Sequence, residues 1–318
     1  MHTEGIMKIT IVDKINRFAS KDIKTLQKNG DVMFTPLNSS ALKNLPIKVY
    51  NEDVILVIDP EIYNWKIGNE VFKLFKNLKA VCLPTTSFEC LDLDYFKKNK
   101  ITVTNTPSYS TQAVAEYAIW MMMSLVRKLP MILRSKMDIF NPFSIQEEIK
   151  GKTMGVIGLG NIGKRIAEYG DRMGMRVFYW SRSDKDVFWE KVKLGRLLER
   201  SDFVFPCYEI NRETKKIFKD KKNIDKIKSG AYLVIPIIGG STRLGNESFD
   251  FRLLKKYVRE GKLSGLAYES PNLEKSRSNI FTPPPVAWYT KEAQDRCYQM
   301  VTNTVLSVIK GCPENRVV

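Results

Sequence analysis

The stretch TMGVIGLGNIGKRIAEYG, residues 153 to 170, constrains the fold more than any other part of this chain. An apolar run of strand character meets glycines at 158, 160 and 163, spaced G-x-G-x-x-G, and passes straight into a helical pattern. Gly158 permits a tight turn, Gly160 lets the backbone approach a pyrophosphate, and Gly163 lets helix and strand pack closely. Asn161 and Ile162 stand between the last two glycines. Free N–H groups at the positive end of the helix dipole would then carry the phosphates. Glycines also end strands for purely structural reasons. The motif counts here because a strand precedes it, a helix follows it and the βαβ length agrees. The expectation is a parallel α/β sheet that binds a dinucleotide.

The end of the next strand bears on which dinucleotide. A site for NAD usually carries Asp or Glu there, whose carboxylate holds the ribose 2′-hydroxyl. FYWSRSDK, residues 178 to 185, instead puts Ser181 at that place, with Arg182 and Ser183 behind it. A carboxylate repels a 2′-phosphate, whereas a guanidinium and two hydroxyls receive it. The expected cofactor is NADP(H) in preference to NAD(H). The alternatives are that Asp184 swings in to serve the ribose, or that Arg182 is merely a surface residue.

The same alternation of short strands and helices runs through the rest of the chain. MKITIVD, DVILVID, KAVCLPT and ITVTNTP read as strands in the first hundred residues, and EVFKLFKNL has helical spacing. Such βα units build a parallel sheet. SYSTQAVAEYAIWMMMSLVRKLP reads as one long helix, with Ser110 or Thr111 as its N-cap and Pro130 ending it. It is apolar on nearly all sides, interrupted by Glu116, which predicts burial between domains or subunits. From about Lys150, TMGVIGLG, MRVFYWS, FVFPCY, AYLVIPI and SGLAYES read as five strands with crossover helices, a doubly wound sheet. Residues 291 to 309 read as a helix able to return to the first domain. The expected fold class is α/β, with two doubly wound parallel-sheet domains. Residues 1–105 and 291–318 form one, and a Rossmann domain of 106–290 is inserted in it.

Composition excludes several other classes. The chain has 318 residues, 43% hydrophobic and 27% charged, which is ordinary for a folded protein. Its most apolar run, residues 113 to 126, is too short to span a bilayer. The N-terminus MHTEGIMKIT lacks a basic-then-apolar signal segment, so a soluble, cytoplasmic protein is expected. Cys82, Cys90, Cys207, Cys297 and Cys312 are scattered with no Cys-x-x-Cys pair, so neither a disulfide framework nor a metal site is expected. The formal charge of +16 raises nucleic-acid binding. Only KDKKNIDKIK, residues 219 to 228, is dense in lysine, and no recognition motif lies near it, so a solvated helix face is the preferred reading.

Four blocks together resemble the D-2-hydroxyacid dehydrogenase family, which contains glycerate, hydroxypyruvate, glyoxylate and phosphoglycerate dehydrogenases. They are TTSFECLDLDYFKKNKITVTNTPSYSTQAVAEYA, IKGKTMGVIGLGNIGKRIA, DFVFPCYEINRETKKIF and IKSGAYLVIPIIGG, and they follow the family's order over nearly the whole chain. WSRS resembles the NADP-using reductases within it. The resemblance implies a flavodoxin-like substrate domain whose substrate loop includes Thr86, Ser87 and Phe88. Ser87 replaces a glycine whose N–H holds the substrate carboxylate. Cys207, Tyr208 and Thr214 fall in the segment that closes over the adenine side of the cofactor. Glu269 falls on an Asp that contacts the nicotinamide amide, and Glu274 on the catalytic Glu. The resemblance also implies a homodimer through the helix at 111–127, and a small 2-hydroxy or 2-keto acid, or an altered carbonyl, as substrate.

Two family side chains are missing. The Arg that grips the substrate carboxylate is replaced by Ile238 in PIIGG. The His that protonates the substrate oxygen is replaced by Pro284 or Pro285 in FTPPPVAWYT, depending on alignment, and His2 is the only histidine in the chain. A general acid contributes about 10²–10⁴-fold, and one donor to a developing oxyanion roughly 2.7–4 kcal/mol. Two readings therefore stay open: an oxidoreductase with a changed substrate, or a nucleotide-binding sensor, regulatory or scaffold protein without turnover. For the first, Tyr289, Tyr117, Lys291 and Glu274 are the candidate proton donors.

Overall fold

The computed structural model describes residues 6–134, 145–211, 213–236, 248–276 and 278–318. The chain divides into two compact units, Met1–Ser110 with Thr290–Val318, and Thr111–Tyr289. The second is an uninterrupted insertion in the first.

In the first unit, strands β1 (Lys8–Val12), β2 (Asp31–Thr35), β3 (Asp53–Ile58), β4 (Asn77–Cys82) and β5 (Thr102–Thr104) form a parallel sheet in the order β2-β1-β3-β4-β5. Period-two geometry sorts the apolar side chains of β3. Val54, Leu56 and Ile58 enter one core with Leu42, Phe72 and Phe96. Ile55 and Val57 enter the other with Ile9, Ile11 and Phe18. That second core is closed by Tyr298, Val301 and Val305 from the helix Lys291–Ile309. Thr290 caps this helix, its hydroxyl accepting the Ala293 N–H at 3.2 Å. Such a cap contributes about 1 kcal/mol.

The second unit carries β6 (Thr153–Ile157), β7 (Arg176–Trp180), β8 (Glu190–Lys191), β9 (Phe203–Pro206), β10 (Ala231–Ile235), β11 (Leu263–Tyr268) and β12 (Ile280–Phe281). They pair in parallel in the order β12-β11-β10-β9-β6-β7-β8. This is the doubly wound arrangement, its strand order reversing between β6 and β9. Alternate residues of β10 again divide between two cores: Leu233 and Ile235 face one, Tyr232 and Val234 the other.

Several local expectations need correction. EVFKLFKNL is helical only at Asn69–Phe72, because its last residues are already in β4. The long helix ends at Val126, and Pro130 lies inside a second helix, Leu129–Arg134. Proline is tolerated in a first turn because the N–H it lacks has no intrahelical partner there. The two-residue strands β8 and β12 extend the sheet beyond five strands and are too short to leave a periodic signal. The apolar helix Thr111–Val126 is covered by its own unit, with Ala115, Ala118, Met121, Met122 and Leu125 against Met154, Val156 and Ile166. Glu116 points to solvent.

Candidate functional site

Gly158 follows β6 with φ of 93°, a left-handed conformation that side chains disfavour. A Cβ there would lie 2.7 Å from the Tyr208 backbone. Two hydrogen bonds gather the neighbouring strand ends at this point. The Gly158 N–H donates to the Trp180 carbonyl at 2.7 Å, and the Cys207 N–H to the Ile157 carbonyl at 2.7 Å. A Cβ on Gly163 would stand 2.1 Å from the Gly158 carbonyl oxygen, so glycine alone lets the helix Asn161–Arg172 lie this close. Gly160 differs. It caps that helix without a side-chain bond, and among the described residues no packing partner lies within 4 Å of where its Cβ would be. The space a side chain would fill therefore faces the positive end of a twelve-residue helix. A pyrophosphate fits this cradle. Ile162 packs into the core behind it, while Asn161 is exposed.

Around the turn, Cys207 is half-buried, and desolvation pushes its thiol well up, leaving it an inert packing residue. The Tyr208 hydroxyl is buried with no hydrogen-bond partner among the described residues. Thr214 is buried, and its hydroxyl closes the 209–214 loop by donating to the Glu209 carbonyl and accepting the Asn211 N–H at 2.9 Å. That internal use leaves Thr214 a loop-positioning residue.

Ser181 is half-buried at the end of β7, with Arg182 and Ser183 exposed beyond it. Arg182 Nη1 stands 3.5 Å from Glu213 Oε2. The exposed Asp184 carboxylate lies 2.5 Å from Lys191 Nζ on β8 and is held below its usual range by that bond. Of the two carboxylates described near this strand end, Asp184 is thus paired with Lys191 and Glu213 with Arg182. Sequence reading missed Glu213, since no local pattern announces which residue of a distant loop will face an arginine.

The carboxyl edge of β11 holds a second polar group. Glu269, the first residue past the strand, accepts the Ala287 N–H at 3.0 Å. Burial pushes its carboxyl up to about 7, against the lowering effect of the Ala287 and Val286 backbone. The proline loop is tied down around it. Ser270 N–H donates to the Pro283 carbonyl at 2.9 Å, and the Tyr117 hydroxyl to the Pro284 carbonyl at 2.7 Å. Pro284 and Pro285 are exposed. Glu274 is placed quite differently. Burial would raise it, but Lys255 at 2.8 Å and the Ser276 N–H at 3.1 Å outweigh that and hold it at about 2. A carboxylate so acidic carries no proton at neutral pH. Ile238 lies outside the described residues.

In the first unit, Thr86 is exposed and donates to the Thr106 carbonyl at 3.1 Å. The Ser87 N–H faces the Thr85 hydroxyl at 3.4 Å, and the Phe88 N–H faces Glu89 Oε2 at 3.0 Å. Asp13 and Asp59 end the adjacent strands β1 and β3, where strand order reverses in this sheet. Tyr298 donates to Asp13 at 2.7 Å and Arg17 pairs with Asp13 at 3.3 Å. Burial pushes Asp59 up to about 6. Neither acid carried a signal in the sequence, because a strand-ending Asp is common.

The sequence is 28% identical over 266 residues to a glyoxylate reductase of Thermofilum pendens, covering 77% of this chain and 76% of that one. Among solved structures, an acyclic imino acid reductase in complex with NADPH and D-Arg is similar, with TM-score 0.78, 25% identity and 98% and 100% of the two chains covered. So is a D-lactate dehydrogenase of Aquifex aeolicus complexed with NAD and lactic acid, with TM-score 0.74, 23% identity and 98% and 99% covered. The family model for the catalytic domain of D-isomer specific 2-hydroxyacid dehydrogenases matches residues 9–318. With that match and the two parallel sheets described above, the chain belongs to the D-isomer specific 2-hydroxyacid dehydrogenase family.

Proposed function

We propose that this family member is an NADP(H)-preferring oxidoreductase that moves a hydride to or from a small carbonyl compound. The family binds nicotinamide dinucleotides, and the open Gly160 cradle at a helix N-terminus supports that binding here. The observation that carries the preference is the end of β7. Arg182 is exposed there, no carboxylate follows the strand directly, and Asp184 is committed to Lys191. In this reading the Thr111–Tyr289 unit holds the cofactor, with Gly158, Gly160, Asn161, Ile162, Gly163, Ser181, Arg182 and Ser183 forming its adenine and phosphate half. The unit containing Thr86, Ser87 and Phe88 serves the substrate.

The substrate is a 2-keto or 2-hydroxy acid, or a carbonyl with less negative charge, given that Ile238 stands where a carboxylate-binding Arg is expected. Similarity to an imino acid reductase adds C=N compounds to the series worth testing. Titration of NADPH and NADH, followed by turnover on 2-keto acids, aldehydes, ketones and imines, tests the reading. Tight NADPH binding with no turnover on any of them would overturn it in favour of the second reading, a nucleotide-binding sensor or scaffold. The prolines at 284 and 285 favour that alternative, since neither can carry a proton. Failure to bind either nucleotide would overturn both.

Two further parts of the reading have separate supports. A homodimer through the 111–127 helix is supported by Trp120, a large apolar side chain left 44% exposed on it. Equilibrium sedimentation showing only monomer at working concentration would remove it. A cytoplasmic location is supported by five cysteines that are all free.

A further inference from the structure

The sheet order tells which strand ends serve which half of a dinucleotide. The pyrophosphate belongs at the β6 turn, and Arg182 marks the β7 side as the adenosine half. The opposite half, over the ends of β9, β10 and β11, is left for the reacting ring. Glu269 is the first residue past β11, at that edge. It retains some exposure to solvent, so a small molecule can reach it.

The surrounding groups divide the work among themselves. Tyr117 has its hydroxyl proton committed to the Pro284 carbonyl. Burial and the nearby Glu269 push its phenol up to about 12, so it stays neutral around pH 7. Glu274 is ionised and paired with Lys255. The Ala287 N–H, two residues past Pro285, points at the Glu269 carboxyl and fixes it under the loop. Building on the oxidoreductase reading, we propose that Glu269 is the proton donor to the substrate carbonyl, the task that Pro284 and Pro285 cannot perform.

In the reducing direction the carbonyl carbon gains a hydride, with its electron pair, from NADPH. As the C–O π bond breaks, its electrons take up the Glu269 proton, giving an alcohol. The substrate is reduced, NADPH leaves as NADP⁺, and the Glu269 carboxylate recovers a proton from solvent. In the oxidising direction Glu269 accepts the alcohol proton. A carboxyl near pH 7 suits both roles, because a general acid or base works best when its affinity for protons matches the operating pH.

Glu269→Gln tests this, because the amide oxygen keeps the bond from Ala287 N–H while losing the exchangeable acid. The variant should still bind NADPH, since an amide can replace the carboxylate at a nicotinamide contact. The variant should lose about 10²-fold or more in kcat on whichever carbonyl the wild type reduces. Its rate should also lose the decline above pH 7 expected of the wild type. Without any substrate, carbon-13 NMR of the labelled glutamates should show one carboxyl titrating near pH 7, absent from the variant. Variant turnover within threefold of wild type would overturn the role of Glu269 while leaving the oxidoreductase reading intact. So would a Glu269 carboxyl titrating in the ordinary carboxylate range. A wild type that binds NADPH but reduces nothing would overturn both.

Discussion

Replacing Arg182 by alanine isolates the contact on which cofactor preference rests. In the cofactor-free protein Arg182 faces Glu213 at 3.5 Å, with the two side chains 58% and 77% exposed. An ion pair so exposed contributes at most about 1 kcal/mol, so the fold should not notice its loss. The 2′-phosphate of NADPH carries close to two negative charges and would draw the guanidinium away from Glu213. A hydrogen bond to a charged group is worth about 1.5–3 kcal/mol, which corresponds to roughly 10- to 100-fold in affinity. NADPH should therefore bind Arg182→Ala at least tenfold more weakly, and NADH less than threefold. Glu213→Gln should act oppositely, tightening NADPH about two- to fivefold by removing a competing carboxylate. Both contrasts should shrink in high salt, as the site is open to ions. Fluorescence titration of each nucleotide at two ionic strengths measures all of this. Equal weakening of both nucleotides by Arg182→Ala would refute the assignment, as would weaker NADPH binding to Glu213→Gln.

Other consequences concern stability and the glycine turn. A carboxyl moved from 4.5 to about 7 on folding costs stability as pH rises through that interval, since the unfolded chain gives up its proton first. At about 1.4 kcal/mol per tenfold change, Glu269→Gln should be up to about 3 kcal/mol more stable than wild type at pH 8 and equal to it at pH 4, by urea unfolding. Parallel curves would contradict it. Glu274 has the opposite sign: its contribution is present above pH 4.5 and fades as pH falls towards 2. Lys255→Met should cost about 1 kcal/mol at pH 7 and nothing at pH 2. Gly163→Ala should destabilise by about 1–3 kcal/mol, because its Cβ meets a backbone oxygen at 2.1 Å. Gly160→Ala should cost less thermal stability than Gly163→Ala, through the poorer N-cap alone, and weaken NADPH binding, its Cβ intruding on the cradle.

The main strands and the phosphate turn were legible because they obey short-range rules. Buried parallel strands such as DVILVID are continuous apolar runs, and a left-handed turn at Gly158 needs glycine at fixed spacing. What escaped depends on tertiary context. The two residues of β12 join the sheet through β11, which has no local signature. Pro130 marked a helix end by propensity, yet the chain breaks earlier and restarts around it. At the site, sequence could name Glu274 and Glu269 as acids in plausible places. It could not rank them. Lys255 lies 19 residues from Glu274 in sequence, and the Ala287 N–H that holds Glu269 comes from a loop 18 residues on.

The helix Lys291–Ile309 closes the Ile9–Val57 core, and Val317 and Val318 bond to the Val103 backbone beside β5. The first unit is therefore assembled from segments separated by about 180 residues of insertion. On the ribosome, at about 5–20 residues per second, its sheet would wait about 10–40 s with one apolar face uncovered. The inserted unit, being continuous, can finish folding within that interval. Nascent chains halted at Tyr289 should thus present a protease-resistant 111–289 fragment while the first hundred residues are cut rapidly. Equal resistance of both would mean that the early strands find cover before their own helix exists. Rapid cutting of the early strands would instead place the chaperone demand for this protein on its opening segment, which is translated first yet completed last.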